Sequence, residues 1–374
     1  MKLCRRNGVS TKGAFLRFSI WSESSLCDIN KRWGHCSKEL VHDAGASGQA
    51  GGYCPLFVGG SDYSGQCGKG EHGDFCMVDE SGTAGESDSK KEMSEFTLLD
   101  RQQLDALLDQ AKERLFPFGV GFLKLGPGSD AVPALAGSGT LAVVNGIHGI
   151  VTADHVLRHL PPTGRVGLLS GYASAPTNRF KIEMDTTQSV VVGRPSGEYG
   201  SGGPDLGFLI LSPDTVATLK ARASFYEITG RRDRMLSSPP AIESGGWVIL
   251  GVIEEWTSEG PGEINFPRVK HFESVCGGSM VSREEHRDGF DYLYFEVRSG
   301  EPEEHRPASF AGASGGSLWQ IVARLEGGAA SIKEVLLSGV PFYQSEIRNG
   351  HRTIVCHGRR SIYDLLVNAV RSGA

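Results

Sequence analysis

Residues 137–156 read GSGTLAVVNGIHGIVTADHV and are the most informative stretch for the architecture of the chain. A Gly-Ser-Gly-Thr opening leads into an apolar strand, a turn and a second apolar strand, which is followed by Thr-Ala-Asp-His-Val. His155 stands where the second strand ends. The stretch therefore predicts paired β-strands that carry a histidine to the edge of a buried core.

Short apolar runs cut by Gly, Pro and Asp continue on both sides of this stretch. The first set is VGFLKL, TLAVV, HGIVTA, VGLL, SVVVG and LGFLIL, and the second is GWVILGVI, FDYLYFEV, SLWQIVA, KEVLLSGV and RTIVCHG. They predict a mainly β protein with two antiparallel six-stranded β-barrels, at about 117–211 and about 245–358. A polar crossing segment lies between the barrels, and a C-terminal helix is predicted over about 359–372.

The first 92 residues are rich in Gly, Ser and Cys, and we expect them to be disordered. A second interpretation is that translation starts at Met93. A third interpretation is a zinc site with four ligands from this segment. The candidate ligands, which show no Cys-x-x-Cys spacing, are Cys27, His35, Cys36, Cys54, Cys67, His72 and Cys76. Leucines at three- and four-residue steps predict an amphipathic helix within 93–116.

Charge and hydropathy limit the partners and the compartment. The net charge of -6 offers no basic surface for nucleic acid and no polybasic membrane patch. The chain contains no apolar run long enough for a membrane helix and no apolar signal region at residues 1–21. We therefore predict a cytoplasmic protein, in which Cys276 and Cys356 are reduced thiols.

Two further polar residues complete a catalytic pattern with His155. Asp205 directly precedes the apolar run LGFLIL, and Ser314 lies in GASGGSLWQIVA with small residues on both sides. A nucleophilic serine needs a base, an acid that orients the base, and donors for the oxyanion. Ser-Gly-Gly also occurs at Ser201 and Ser244, but neither of these has a glycine two places before it.

These pieces resemble the trypsin-like, chymotrypsin-fold serine peptidases, particularly compact bacterial members, over about 117–370. GSGT, TADHV, DLGFLIL and GASGGS match the family's motifs in the family's order. The resemblance implies that Ser314 is the nucleophile, His155 the general base and then acid, and Asp205 the group that orients the imidazole. It further implies an oxyanion hole at the N–H groups of Gly312 and Ser314, and a reaction without metal or cofactor.

The resemblance also places the primary specificity pocket, at Ala308 and at the strand containing Ser338, Gly339 and Val340. None of these residues is acidic, so a shallow apolar pocket for small or medium aliphatic side chains is expected. Asp154 departs from the family, which has a small residue before the histidine. We expect its carboxylate to face solvent; the alternatives are a change in the titration of His155 and a contact with a regulatory partner.

The sequence thus predicts a serine endopeptidase that cleaves polypeptides through an acyl-enzyme, in limited proteolysis under the control of a regulatory protein partner. The alternative is a catalytically silent module of the same fold that binds a peptide in its groove. A weaker third hypothesis is a zinc-dependent adaptor built on the N-terminal cysteines.

Overall fold

The computed structural model describes residues 17–18, 101–126, 133–170, 179–261, 268–298, 307–326 and 329–373. They belong to one compact unit, formed by Met1–Asp28 and Ser94–Ala374. The other unit, Ile29–Met93, lies outside the described residues. The expected disorder of residues 1–92 and the candidate zinc ligands there lie outside them as well.

The first sheet is built by the strands that follow helix α1 (Arg101–Leu115). Its strands are β2 (Gly119–Lys124), β3 (Ala134–Val144), β4 (Ile147–Thr152), β5 (Arg165–Ser170), β6 (Arg179–Glu183), β7 (Gln188–Gly193) and β8 (Leu206–Ile210). They pair antiparallel in the order β6-β5-β2-β3-β4-β8-β7. Asn145 and Gly146 connect β3 to β4 with φ values of 51° and 79°, the conformation of a tight hairpin turn.

Helices and a short strand connect the sheets. Helix α2 (Asp154–His159) follows β4, and helix α3 (Pro213–Lys220) follows β8. The Ser212 hydroxyl accepts a hydrogen bond from the Thr215 N–H at 3.4 Å and so caps α3. Strand β9 (Tyr226–Glu227) then pairs parallel with β3, and helix α4 (Arg232–Ser237) leads to the second sheet.

The second sheet contains the remaining strands and the short strand β1 (Arg17–Phe18). They are β10 (Gly245–Pro261), β11 (Arg268–Arg287), β12 (Phe290–Arg298), β13 (Ser317–Glu326), β14 (Ala329–Gln344) and β15 (His351–His357). The order is β1-β10-β11-β12-β15-β14-β13, and β10 also pairs with β13. A π-helical turn (Ser361–Leu366) and helix α5 (Val367–Gly373) follow.

The predicted mainly β architecture, with two antiparallel strand sets and a C-terminal helix, is confirmed. The strand numbers differ from the prediction. The path of the first sheet holds seven strands, with β9 added at β3. In the second sheet, six strands from β10 to β15 follow one another in a closed cycle of pairings, and β1 is added outside that cycle.

The largest hydrophobic cluster joins both sheets and the helices. Phe208 of the first sheet, Leu250 and Trp319 of the second, and Leu115 of α1 are all buried in it. Removing a ring as large as that of Trp319 from such a core costs about 3–5 kcal/mol. The cluster therefore fixes the two sheets against each other, and with them the residues at their facing ends.

Two further predictions concern the thiols of Cys276 and Cys356 and the absence of a membrane helix. Cys356 is a free, buried thiol in β15. Cys276 lies in β11, and its side chain is outside the described part of the chain. Among the helices of the described residues, none combines the length and the apolarity needed to cross a bilayer.

Candidate active site

Strand pairing brings the predicted histidine and aspartate together. In the antiparallel pair of β4 and β8, Thr152 lies opposite Gly207. His155 comes three residues after the first of these and Asp205 two residues before the second. The end of one strand and the start of its neighbour thus meet at the same edge of the sheet.

His155 and Asp205 are joined by two hydrogen bonds. The imidazole Nδ1 lies 2.5 Å from Asp205 Oδ2, and the backbone N–H of His155 donates to Asp205 Oδ1 at 2.9 Å. Because a carboxylate only accepts hydrogen bonds, Nδ1 carries a proton, and in the neutral imidazole Nε2 then keeps its lone pair. Asp205 is 1% exposed, while the His155 side chain is 19% exposed. This arrangement orients an accessible base with a buried acid.

A second histidine lies behind the pair, and the sequence reasoning missed it. The Asp205 N–H donates to Nε2 of His357 at 2.9 Å. His357 is fully buried against the rings of Phe290, Tyr292 and Phe342, and its burial lowers its pKa to about 3. It is therefore a neutral acceptor. The signal was present in RTIVCHG, which ends an apolar strand in a histidine, as the stretch before His155 does.

Ser314 lies in a loop packed against the segment that precedes His155. A Cβ on Gly315 would lie 2.0 Å from Thr152 Oγ1 and 2.9 Å from Ala153 N, so the loop touches the end of β4. Ser314 itself is half-buried. Among the described residues no hydrogen bond joins its hydroxyl to His155 Nε2; in many enzymes such bonds tighten only when substrate binds.

The loop before Ser314 leaves two backbone donors unused. Phe310 O accepts the Ala313 N–H at 3.0 Å, and Gly312 has a φ of +90°, which makes this a type II turn. Within the described chain, neither the Gly312 N–H nor the Ser314 N–H donates to any acceptor. These are the two donors predicted to bind an oxyanion.

The predicted pocket residues lie in two different environments. Ala308 is exposed, whereas Ser338 and Val340 are 0% exposed, and Val340 belongs to the largest core cluster. A Cβ on Gly339 would lie 3.0 Å from the Cβ of Leu318. The structure therefore leaves the side chains at 338–340 no surface that a substrate can touch.

Strand β14 reaches the surface near the Ser314 loop a few residues later. Tyr343 is 37% exposed, and Gln344 bonds directly to the loop. Gln344 Oε1 accepts the Phe310 N–H at 2.8 Å, and its Nε2 donates to Ser309 Oγ at 3.1 Å. The Glu255 carboxylate accepts the N–H groups of Ala308 and Ser309 at 2.7 and 2.9 Å. The loop is thus fixed on both sides, and a glutamine side chain bridges it to β14.

The expectation that the Asp154 carboxylate faces solvent is wrong. It is 1% exposed and accepts hydrogen bonds from Arg194 at 2.7 and 3.1 Å, and another from the Tyr199 hydroxyl. Burial opposes its ionisation, but the bonds from Arg194 and Tyr199 outweigh burial and hold the pKa of the carboxyl below its usual value. Burial and the same bond raise the pKa of Tyr199 to about 12.

This cluster borders the candidate base. The rings of Tyr199 and His155 lie 5.7 Å apart in an edge-to-face arrangement. Asp154 therefore holds Tyr199 against the imidazole. No sequence pattern indicated this cluster, because Arg194 and Tyr199 lie far from Asp154 along the chain and adjoin it only through the β7–β8 connection.

The competing serines have no such surroundings. Ser201 lies in an exposed turn, and the Ser244 hydroxyl donates to Ala241 O at 2.7 Å. In the described part of the chain neither serine has a histidine partner.

No group of three or more His, Cys, Asp or Glu side chains that could hold a metal ion occurs among the described residues. In comparisons with known proteins, no protein-family model and no curated protein matches the chain. Geometry and residue chemistry are therefore the grounds on which a function is assigned.

Proposed function

We propose that the chain is a serine endopeptidase with the chymotrypsin-like arrangement of two β-barrels, acting on polypeptides through an acyl-enzyme. The closed cycle of pairings from β10 to β15 supports the second barrel, and the first sheet forms the other half. The candidate residues come from both halves, since His155 and Asp205 belong to the first sheet and Ser314 precedes β13 of the second.

In the proposed acylation step, the Ser314 hydroxyl oxygen attacks the substrate carbonyl carbon while His155 Nε2 takes its proton. The Asp205 carboxylate stabilises the resulting imidazolium, with which it already shares a hydrogen bond of 2.5 Å. The carbonyl oxygen becomes an oxyanion and accepts hydrogen bonds from the N–H groups of Gly312 and Ser314. Each such donor lowers the barrier by about 3–4 kcal/mol.

The tetrahedral intermediate then collapses. The carbon–nitrogen bond breaks, and the imidazolium gives its proton to the leaving amine, which departs as the first product. Water attacks the ester in the same way, with His155 again as base, and releases the acid product and the Ser314 hydroxyl. Burial of Asp205 keeps water from competing for its hydrogen bond to the imidazole during both steps.

One observation carries the proposal: two unused backbone N–H donors, at Gly312 and Ser314, lie in the loop that packs against the strand end beside the His155–Asp205 pair. A buried or half-buried N–H without an acceptor is uncommon in folded proteins. Two of them that flank a candidate nucleophile are what an oxyanion hole requires.

The hydrogen bonds of Gln344 support a preference for small side chains at the substrate residue before the scissile bond. The Gln344 side chain crosses from β14 to Ser309 and Phe310, and so fills the space between the loop and the strand. This leaves a shallow depression instead of a deep pocket. The proposed substrates therefore present Gly, Ala or Ser at that position, which is narrower than the small or medium aliphatic residues expected from the sequence.

The test is labelling with an alkyl fluorophosphonate, which forms a covalent adduct with an activated serine. Wild-type protein should be labelled at Ser314, and the Ser314→Ala and His155→Ala variants should not. Ser201→Ala and Ser244→Ala are matched controls that also lose a serine from Ser-Gly-Gly, and both should be labelled like the wild type. Labelling that persists in Ser314→Ala would refute the proposal.

The silent peptide-binding module is the second candidate. The observation that favours it is the missing hydrogen bond between His155 Nε2 and the Ser314 hydroxyl within the described residues. A module of this kind would leave the wild type unlabelled and without peptide hydrolysis. The fluorophosphonate experiment therefore separates the two candidates.

A further inference from the structure

Ser138 uses every polar group it has, at the point where both sheets meet the Ser314 loop. Its N–H donates to Ser314 O at 2.8 Å, and its carbonyl accepts from Thr152 Oγ1 at 2.7 Å. Its hydroxyl accepts the Val252 N–H at 2.8 Å and donates to Gly312 O at 2.6 Å. The residue is 0% exposed. One side chain of β3 is therefore bonded both to β10 and to the loop.

The direction of the hydroxyl proton follows from these partners. The Val252 N–H can only donate, so the Ser138 oxygen must accept from it. Gly312 O can only accept, so the single hydroxyl proton must point to Gly312. No other assignment satisfies both neighbours.

All four carbonyls from Ala311 to Ser314 accept a hydrogen bond. Ala311 O accepts the Glu254 N–H at 2.9 Å, and Ala313 O accepts the Gly316 N–H at 2.9 Å. The two remaining carbonyls, of Gly312 and Ser314, are both held by Ser138. In a planar trans peptide the N–H points opposite to the C=O. The bonds at Ala311 and Ala313 thus point the N–H groups of Gly312 and Ser314 away from the donors Glu254 N–H and Gly316 N–H.

Gly312 makes this restraint necessary. Its φ of +90° suits only glycine, and glycine adopts positive and negative φ about equally well. The Glu254 N–H fixes the peptide before Gly312, and the Ser138 hydroxyl fixes the peptide after it. Without the Ser138 bond, the peptide after Gly312 is held only by the Ala313 N–H bond to Phe310 O, so the restraint on Gly312 weakens and its N–H can leave the orientation that faces the cleft.

From these contacts we propose that Ser138 is the positioning residue of the oxyanion hole, acting through its hydroxyl bond to the Gly312 carbonyl. The inference rests on the proposed peptidase function and deepens it. Ser138 touches neither the substrate nor the reacting atoms; it restrains the loop that presents the two donors.

The test compares fluorophosphonate labelling rates of the wild type with Ser138→Ala and Ser138→Cys. Losing one oxyanion donor slows catalysis by about 10²–10³-fold, so a misdirected donor should slow labelling by about 10–100-fold. Ser138→Cys keeps the volume and a weak donor, so it should fold and give a rate between those of the wild type and Ser138→Ala.

Two control variants are compared with Ser138→Ala. One changes another buried hydroxyl of the same strand, and the other lowers stability away from the site. Thr140 lies two residues further along β3 and is equally buried, and no described residue bonds its hydroxyl, so Thr140→Val should label like the wild type. Ser212→Ala removes the cap of α3 and should lower the melting temperature without slowing labelling.

The pH dependence of the labelling rate distinguishes a positioning role of Ser138 from a general loss of structure. Because the His155–Asp205 pair does not contact Ser138, the limiting labelling rate should fall while the midpoint of the profile stays unchanged. Ser138 variants that label at the wild-type rate would overturn this inference and leave the peptidase proposal standing. A wild type that is neither labelled nor active on peptides would overturn both.

Discussion

Replacing Asp154 with Asn removes one charge from a buried cluster at nearly constant volume. The Asn oxygen can still accept from Tyr199, but its NH2 group then faces the guanidinium of Arg194, donor against donor. Leaving a buried donor unpaired and weakening a charged hydrogen bond cost about 2–3 kcal/mol together. Arg194 is assigned no cost, because its side chain is 41% exposed and regains water.

For a domain of this size, each kcal/mol lowers the melting temperature by about 2–4 °C, so Asp154→Asn should melt about 4–12 °C below the wild type at pH 7. Thermal unfolding followed by circular dichroism measures the difference. The control is Asp233→Asn, because Asp233 is 99% exposed and lies 3.9 Å from Arg232 in a surface ion pair. That control should melt within about 1 °C of the wild type.

The stability difference should also depend on pH. The folded-state pKa of Asp154 lies below its unfolded value, so its contribution is complete above the unfolded pKa, near about 3.9. The contribution disappears as the pH falls through the folded-state pKa. Urea unfolding from pH 3 to pH 7 should therefore show the two proteins converging at the acid end. An Asp154→Asn protein as stable as the wild type at pH 7 would refute the reasoning.

Three further substitutions probe the site. Asp205→Asn should lower peptide hydrolysis by about 10⁴-fold with the fold retained, because the amide favours the wrong tautomer of His155; a loss below about tenfold in kcat would contradict its role. Gly312→Ala should abolish fluorophosphonate labelling, since a Cβ would lie 2.4 Å from Leu135 Cδ2 at a φ of +90°; normal labelling would exclude this N–H as a donor. Gln344→Ala should shift cleavage in a peptide library toward larger side chains before the scissile bond, and an unchanged profile would remove Gln344 from the specificity site.

The sequence pattern predicted the parts of the site that depend on strand ends. His155 and Asp205 each adjoin an apolar run, and strands that pair in a sheet bring such ends together. The two antiparallel strand sets followed from the same runs. The number of strands in each sheet did not, because it depends on pairings between segments far apart along the chain.

The β14 residues expected to form the specificity pocket are buried, and the pairing of that strand is irregular. The pairing of β14 with β15 has a register shift between Pro341 and Tyr343. Alternation of inward and outward side chains fails at such a point. The resemblance placed the pocket wall at Ser338, Gly339 and Val340, which are buried, whereas Gln344, beyond the shift, bonds to the loop that precedes Ser314.

Two of the missed polar residues, Ser138 and His357, share another property, which is that they bind backbone groups. Ser138 binds Gly312 O and His357 binds the Asp205 N–H, and no sequence pattern marks a backbone atom as a partner. The GSGT motif drew attention to the right strand, but its serine acquires a role only after the second sheet has formed.

The bond from Asp205 to His357 also bears on how the protein is made. The donor directly precedes β8 of the first sheet, and the acceptor leaves the ribosome 152 residues later. Contacts between such distant segments form late in folding. Under the proposed peptidase function, a growing polypeptide should therefore remain harmless to neighbouring nascent proteins until nearly all of it has been synthesised, since the proposed catalytic site is complete only at that stage.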